Sequence, residues 1–216
     1  MSANPHPTLP PPTEEPNPTR VEGFGMACYV QARRMKVSNE EELSALFKTV
    51  QEQGQTLGFH GSGASYGDAA LNTNQIVCDM TSMNKILDWN SQTGILCAEG
   101  GATIAQIWPQ IIGDGYWLPV VSGTMVPTIG GAISMNIHGK NCWRYGPIGE
   151  YVISFRLMTP NGKIYACSPE ENSDIFHAAI GGFGMLGCIT QVTLKLKSID
   201  SGLLEVRAHS SPSFDD

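Results

Sequence analysis

From Ser38 onward the apolar positions take up a helical period. Leu43, Leu46, Phe47 and Val50 fall at i, i+3, i+4 and i+7, which marks one buried face. Ser38 with Glu41 predicts a capping box at the start of this helix, and Gly54 its end. "QTLGF" (55–59) and "QIVCDM" (75–80) read as strands, and "KILDW" (85–89) and "GILCAEGG" (94–101) as two more extended segments. Thr103 caps a second helix with Ile104, Ile107, Trp108 and Ile111 on one face. "EYVISFRLM" (150–158) and "KIYAC" (163–167) flank Thr159-Pro160-Asn161-Gly162, and Asn-Gly between two β-rich runs predicts a hairpin. Ser173 to Ile180 reads as a short helix. Thr190, Val192, Leu194 and Leu196 then alternate with Gln191, Thr193, Lys195 and Lys197, the pattern of a half-buried strand.

Strands and hairpins interrupted by isolated helices do not make a regular βαβ alternation. The order predicts an α+β fold, with two packed lobes over about 21–80 and 81–200. Residues 1–20 hold seven of the 14 prolines and predict a disordered tail.

Composition narrows the function. The chain has 216 residues and 41% apolar content, enough for a sizeable core. A net charge of −7 and the lack of a basic stripe argue against nucleic acid. The six cysteines lie in apolar or strand-like segments without a CxxC, so they read as buried thiols in a reducing, cytoplasmic compartment. His138 and Cys142 stand four apart with no third ligand nearby, so no metal is expected. No apolar run reaches about 18 residues, and no membrane span or apolar leader is expected.

The 24 glycines exceed an average usage of about 7% and gather in short loops. Gly182 to Gly187 matches GxGxxG, yet a helix precedes it and a strand follows. That is the reverse of a dinucleotide loop, and a tight helix-to-strand connection is preferred. Gly61 to Gly67 does follow a strand, but the next strand comes too soon for a packed helix. It reads either as a nest of backbone N–H groups for an anion or as a surface loop. Ser122 to Gly131 is the third loop. After it "AISMNIHG" (132–139) suggests a short helix whose N-terminus offers free N–H groups to an anion; the alternative is a closely packed core turn. Two such sites suit a ligand with two phosphates, or a long one with a phosphate in its middle.

"SGASYGD" (62–68), "PTIGGAI" (127–133) and "IHGKN" (137–141), in this order and spacing, resemble the para-cresol methylhydroxylase-type flavin domain of the vanillyl-alcohol oxidase superfamily. Within it they are most similar to oxidases of lipid-linked ribose, with the aldonolactone oxidases next. The resemblance covers roughly Gly23 to Lys197. It implies FAD, held by Phe59 and His60 and with the pyrophosphate on the loop Gly61, Ser62, Gly63, Ala64, Ser65, Tyr66, Gly67, Asp68 and Ala69. It implies further contacts at Gly123, Thr128, Ile129, Gly130, Gly131, Met135, Asn136, Ile137, His138 and Ile189. Relatives that bind flavin covalently use a histidine where this chain has Ala64, or a cysteine in the stretch that holds Val126, so the FAD is expected to be non-covalent. Cys142-Trp143 stands where the lipid-linked-ribose oxidases carry two histidines, which leaves the substrate open.

The activity implied is oxidation of an alcohol on a sugar or lipid-linked sugar by hydride transfer. Tyr66, His138 and Lys140 are the candidate catalytic residues. Tyr66 would hydrogen-bond substrate, and Lys140 would stabilise charge near reduced flavin. His138 would act as a base, or equally would hydrogen-bond backbone beside the flavin. The alternatives are an aldonolactone oxidase, a flavin-binding module without its own catalysis, and a nicotinamide reductase, which the loop polarity disfavours. Such oxidases are longer, so residues 201–216 are expected to begin a substrate domain, and a separate chain is one possible source of it.

Overall fold

The computed structural model describes residues 13–14 and 18–213. Strands β1 (Thr13–Glu14), β2 (Thr19–Glu22), β3 (Tyr29–Lys36), β4 (Leu57–His60) and β5 (Ile76–Asp79) form the first sheet, ordered β1-β3-β5-β4 with β2 on β3. Of the stretch read as a tail, Thr13 and Glu14 pair with Lys36 and Met35, and Thr19 and Arg20 open β2. Residues 1–12 and 15–17 lie outside the described residues. β3, β5 and β4 run parallel, so the chain crosses over through helix α1 (Glu40–Glu52).

α1 buries Leu43, Leu46, Phe47 and Val50, the face the sequence predicts. Its cap stands one residue later than predicted. The Asn39 side chain accepts the Glu42 N–H at 2.8 Å, and the Glu42 carboxylate accepts the Ser38 N–H at 2.8 Å. Asn is as good an N-cap as Ser, and Glu42 then falls where its carboxylate reaches back.

The second sheet is built from β6 (Ile86–Asn90) and β7 (Ile95–Glu99), followed by α2 (Ile104–Ile111). After short β8 (Tyr116–Trp117) come α3 (Ile129–Ser134), α4 (Cys142–Tyr145) and a 3₁₀ turn at Ile148–Tyr151. β9 (Val152–Met158), β10 (Ile164–Cys167), α5 (Ser173–Ala179) and β11 (Cys188–Lys195) complete it, and β12 (Lys197–Ser198) pairs with β8 in a separate two-stranded ribbon. The order is β10-β9-β11-β7-β6, antiparallel throughout. The fold is α+β, with two sheet-based lobes as the order of elements predicts. Residues 201–213 have no helix or strand and are exposed.

One core lies between the second sheet and helices α2, α3 and α5, with Ile104, Ile107, Ile133 and Val192 at its centre. The other lies under α1 and takes Met158 and Cys188 from the second sheet, so the lobes share it. The Sγ atoms of Cys78 and Cys188, one from each sheet, stand 3.5 and 3.7 Å from Met80 Sδ. The sequence expectation of uniformly buried thiols fails elsewhere. Cys28, in the β2–β3 connection, and Cys142, at the start of one-turn α4, are exposed outside the core, while Cys78, Cys167 and Cys188 are buried.

Two contacts lock the lobes. At Gly100-Gly101 the backbone of four segments meets. The Gly100 N–H donates to Thr190 O at 2.8 Å, the Gly101 N–H to Met83 O at 2.8 Å, and Gly100 O accepts from the Gly130 N–H at 2.8 Å. A Cβ on Gly100 would overlap Ile189 O, and one on Gly101 would overlap Met80 O. Beside it, Arg156 of β9 grips Glu40 of α1 through two bonds of 3.0 and 2.7 Å, and Thr190 Oγ1 donates to the same carboxylate at 2.6 Å.

The Arg156 hydrogen bond is the largest of the effects that hold the Glu40 carboxyl below the ordinary range; burial opposes it. Its stabilisation is thus complete above the unfolded glutamate value of about 4.3 and is lost as pH falls through the lower folded value. Arg156 is 40% exposed, so water screens the pair. E40Q is expected to lower the unfolding free energy by about 1–2 kcal/mol near neutral pH. Urea titrations should find that gap narrowing as pH falls below the ordinary glutamate range and the wild-type carboxylate takes up its proton; an undiminished gap in strong acid contradicts the assignment.

Candidate functional site

β4 carries the chain out of the first sheet into the loop at 61–69. Phe59 is half-buried and meets Phe47 edge to face at 6.0 Å. His60 is buried on the other face of the sheet, over the Arg34–Asp79 pair at 2.8 Å. Burial, then the Arg34 charge, holds the His60 imidazole below its usual pKa, so it is neutral at physiological pH. Gly61 sits against Thr128, where a Cβ would overlap the hydroxyl. Gly63 takes φ +68°, and a Cβ there would stand 3.2 Å from His60 Nε2.

The loop leaves its donors free. No N–H from residue 61 to 67 reaches a protein acceptor among the described residues, and Ser62 Oγ is buried without a partner. Asp68 closes the turn with its carbonyl, which accepts the Leu71 N–H at 2.8 Å, rather than with its carboxylate. Ala64 and Ser65 are half-buried, and Tyr66, Gly67, Asp68 and Ala69 are exposed.

The third glycine loop departs from its sequence reading. Helix α3 begins at Ile129, three residues early, because Thr128 caps it by accepting the Gly131 N–H at 3.3 Å. Its first N–H groups are not free. Ile129 donates to Ala102 O and Gly130 to Gly100 O, both at 2.8 Å. This turn belongs to the lobe junction, and the N–H groups at the start of α3 are spent on it. Gly123 is exposed. Met135 ends the helix, Asn136 Oδ1 accepts the Gly149 N–H at 3.0 Å, and Ile137 O accepts the Ile148 N–H at 2.9 Å.

His138 and Lys140 are exposed, on the turn held by Asn141 Nδ2 donating to Pro119 O at 3.1 Å. Neither they nor Tyr66 make a side-chain hydrogen bond or ion pair among the described residues. Ile189 is buried on β11 at the junction.

The 181–187 connection leads from α5 into β11 as the polarity of the sequence predicts. The sequence did not place it at the site. Gly181 N–H donates to Ile133 O at 3.0 Å and Phe183 N–H to Ser134 O at 2.9 Å, while Gly184 packs beside Phe59. It lines a shallow crevice with Ser134, Leu157 and Ile189, and leaves Phe183, Met185 and Leu186 exposed. A second stretch the sequence left unread is 22–25, whose backbone follows the first loop. A Cβ on Gly23 would stand 2.5 Å from Ser65 O, and one on Gly25 would overlap Tyr66 O. The glycines at 23 and 25 were the available signal.

The structure thus brings the first glycine loop against α3 through Gly61 on Thr128, and the 181–187 connection against β4 through Gly184 beside Phe59. Among the described residues, no group of three or more His, Cys, Asp or Glu side chains gathers as for a metal, and no helix is long and apolar enough to cross a membrane.

This architecture defines a flavin domain. Residues 32–168 match the family model described as FAD binding domain, and the chain belongs to that family of flavoprotein oxidoreductases. It is 32% identical over 207 residues to decaprenylphosphoryl-β-D-ribose oxidase of Mycolicibacterium smegmatis, covering 94% of this chain and 45% of that protein. It is 30% identical to L-gulono-1,4-lactone dehydrogenase of Mycobacterium tuberculosis, over 74% of this chain and 36% of that one. Against L-gulonolactone oxidase of Bos taurus the identity is 29%, over 72% and 35%. The chain spans less than half the length of each.

The contact between the first and third loops is directly testable. G61A forces the buried Thr128 hydroxyl aside and breaks the α3 cap, at a cost of about 1–3 kcal/mol. The double variant G61A/T128A should be less unstable than the two single losses summed, because the clash is gone. Strict additivity in denaturant titrations rejects the packing.

Proposed function

We propose that this chain is the FAD-holding part of an oxidoreductase that oxidises an alcohol carbon of a sugar-like substrate. The observation that carries this is the first glycine loop, with its open N–H groups, its unpartnered buried Ser62 hydroxyl, and the Gly61 backbone laid on Thr128. Such a loop binds an anion through backbone donors and requires no lysine or arginine. A pyrophosphate is the group it suits, held along residues 61–69.

Bound FAD would accept a hydride from the substrate carbon. The chain's own residues supply placement and proton handling. Tyr66 donates a hydrogen bond to substrate, His138 holds or accepts the hydroxyl proton, and Lys140 offsets negative charge at the reacting end. Thr128 and Asn136 act through backbone, fixing the turns that present these groups.

The FAD is held non-covalently: the Ala64 methyl and the Val126 isopropyl group have no atom that forms such a bond. Oxidation of a lipid-linked ribose follows from the relative that aligns along 94% of this chain. Aldonolactone oxidation is the second reading, favoured by the L-gulono-1,4-lactone dehydrogenase.

The purified chain, reconstituted with FAD, should be yellow, and acid precipitation should release all the colour to the supernatant. Colour retained in the pellet contradicts non-covalent binding. A chain that takes up no FAD removes the reading altogether. With FAD bound, bleaching of the visible band by a ribosyl phospholipid but not by an aldonolactone selects the first substrate class, and the converse selects the second.

A further inference from the structure

The tip of the β2–β3 hairpin lies on the first glycine loop along its whole outer edge. Glu22 O would stand 3.4 Å from a Cβ on Gly63, Gly23 meets the carbonyls of Ser65 and Gly67, and Gly25 meets that of Tyr66. Met26 closes the tip by donating its N–H to Gly23 O at 3.1 Å, with φ +50°. Gly23 and Gly25 leave no room for side chains toward the loop. The residue between them, Phe24, meets the Tyr66 ring edge to face at 5.4 Å.

Both rings are largely solvent-exposed, Phe24 by 56% and Tyr66 by 76%. An exposed phenylalanine gains little by standing in water. Its position is fixed by a hairpin whose backbone is fitted to the loop carbonyls. Tyr66 itself makes no hydrogen bond among the described residues, so the Phe24 edge is its one ring contact there. The loop needs an outside support, because its N–H groups from 61 to 67 bond no acceptor among the described residues.

We infer that Phe24 is a positioning residue: through its ring contact with Tyr66 and the backbone fit on either side, it holds the glycine loop in the cofactor-binding conformation. This inference rests on the reading of the loop as the FAD site. Pre-ordering a loop raises affinity by removing the cost of ordering it on binding. An aromatic pair is worth about 0.5–1.5 kcal/mol beyond its area, which sets the expected loss at up to about tenfold in FAD affinity.

The test is FAD titration of the flavin-free full chain for F24A, F24L, F24Y and Y66A, and for the F24A/Y66A double variant. F24A and F24L should each weaken FAD by about five- to tenfold while leaving the thermal midpoint of the flavin-free chain unchanged, and F24Y should restore wild-type affinity. In the Y66A background, F24A should cost no more than about twofold, because its partner is already gone. A general structural role would give equal losses in both backgrounds and no rescue by F24Y. Either result overturns the inference, as does F24A binding FAD like wild type. A wild-type chain that takes up no FAD overturns the cofactor reading and this inference with it. That outcome is distinguished by failing before any substitution is made.

Discussion

The fold turns on a point where no side chain fits. Gly100 and Gly101 bring β7 out of the second sheet and press its backbone onto Ile189 of β11 and onto Met80 and Met83 of the first lobe. Their hydrogen bonds run to Thr190 and Met83 and come from Gly130. A methyl group at either position would push main chain against main chain, which cannot yield as a side-chain tip can. The Arg156–Glu40–Thr190 cluster and the Cys78–Met80–Cys188 contacts sit on the same seam and add to it. Both are side-chain interactions and hence adjustable. The glycine pair is not.

That seam also explains where the open donors are. Gly130 and Ile129 spend their N–H groups on Gly100 and Ala102, so the start of α3 is structural. Thr128 is then fixed, and Gly61 lies on it. The first loop is thus anchored at one end to a rigid junction, while His60 O ties its root to β5 through the Met80 N–H at 2.9 Å. Below it a neutral imidazole and a closed Arg34–Asp79 pair add no net charge. On the proposed reading of this loop, attraction for an anion comes from backbone dipoles, which hold their direction because the root of the loop is fixed.

Much of this was legible in the sequence wherever burial imposed a period. The face Leu43, Leu46, Phe47, Val50 and the alternation along 190–197 follow directly from one-sided packing. The capping box was misplaced by one residue because Ser38 and Asn39 are both good caps, and the choice between them depends on Glu42. Helix α4 and the turn at 148–151 have no period to read, being one turn each. The glycine motifs gave the loops but not their donors' fate. Whether a given N–H is free depends on carbonyls some 30 residues away, at Gly100 and Ala102. The hairpin tip was missed for the same reason, since its partner loop starts some 40 residues later.

The side chains assigned to chemistry are little constrained by the protein around them. Tyr66, His138 and Lys140 are exposed and without hydrogen-bond partners among the described residues, although the turns that carry them are held by Asn136, Asn141 and Gly149. The backbone is ordered first, and the reactive groups are ordered by what binds. Each such side chain costs about 0.5–1.5 kcal/mol to immobilise, and that cost must be met by contacts with ligand. A ligand that reaches all three offsets it, and one that reaches a single group does not. On the proposed reading, discrimination between substrates on this scaffold depends on how many of these free groups a substrate engages at once. The Phe24 contact has the same logic at smaller scale: one of the three groups is partly ordered in advance, and the others are left to the ligand.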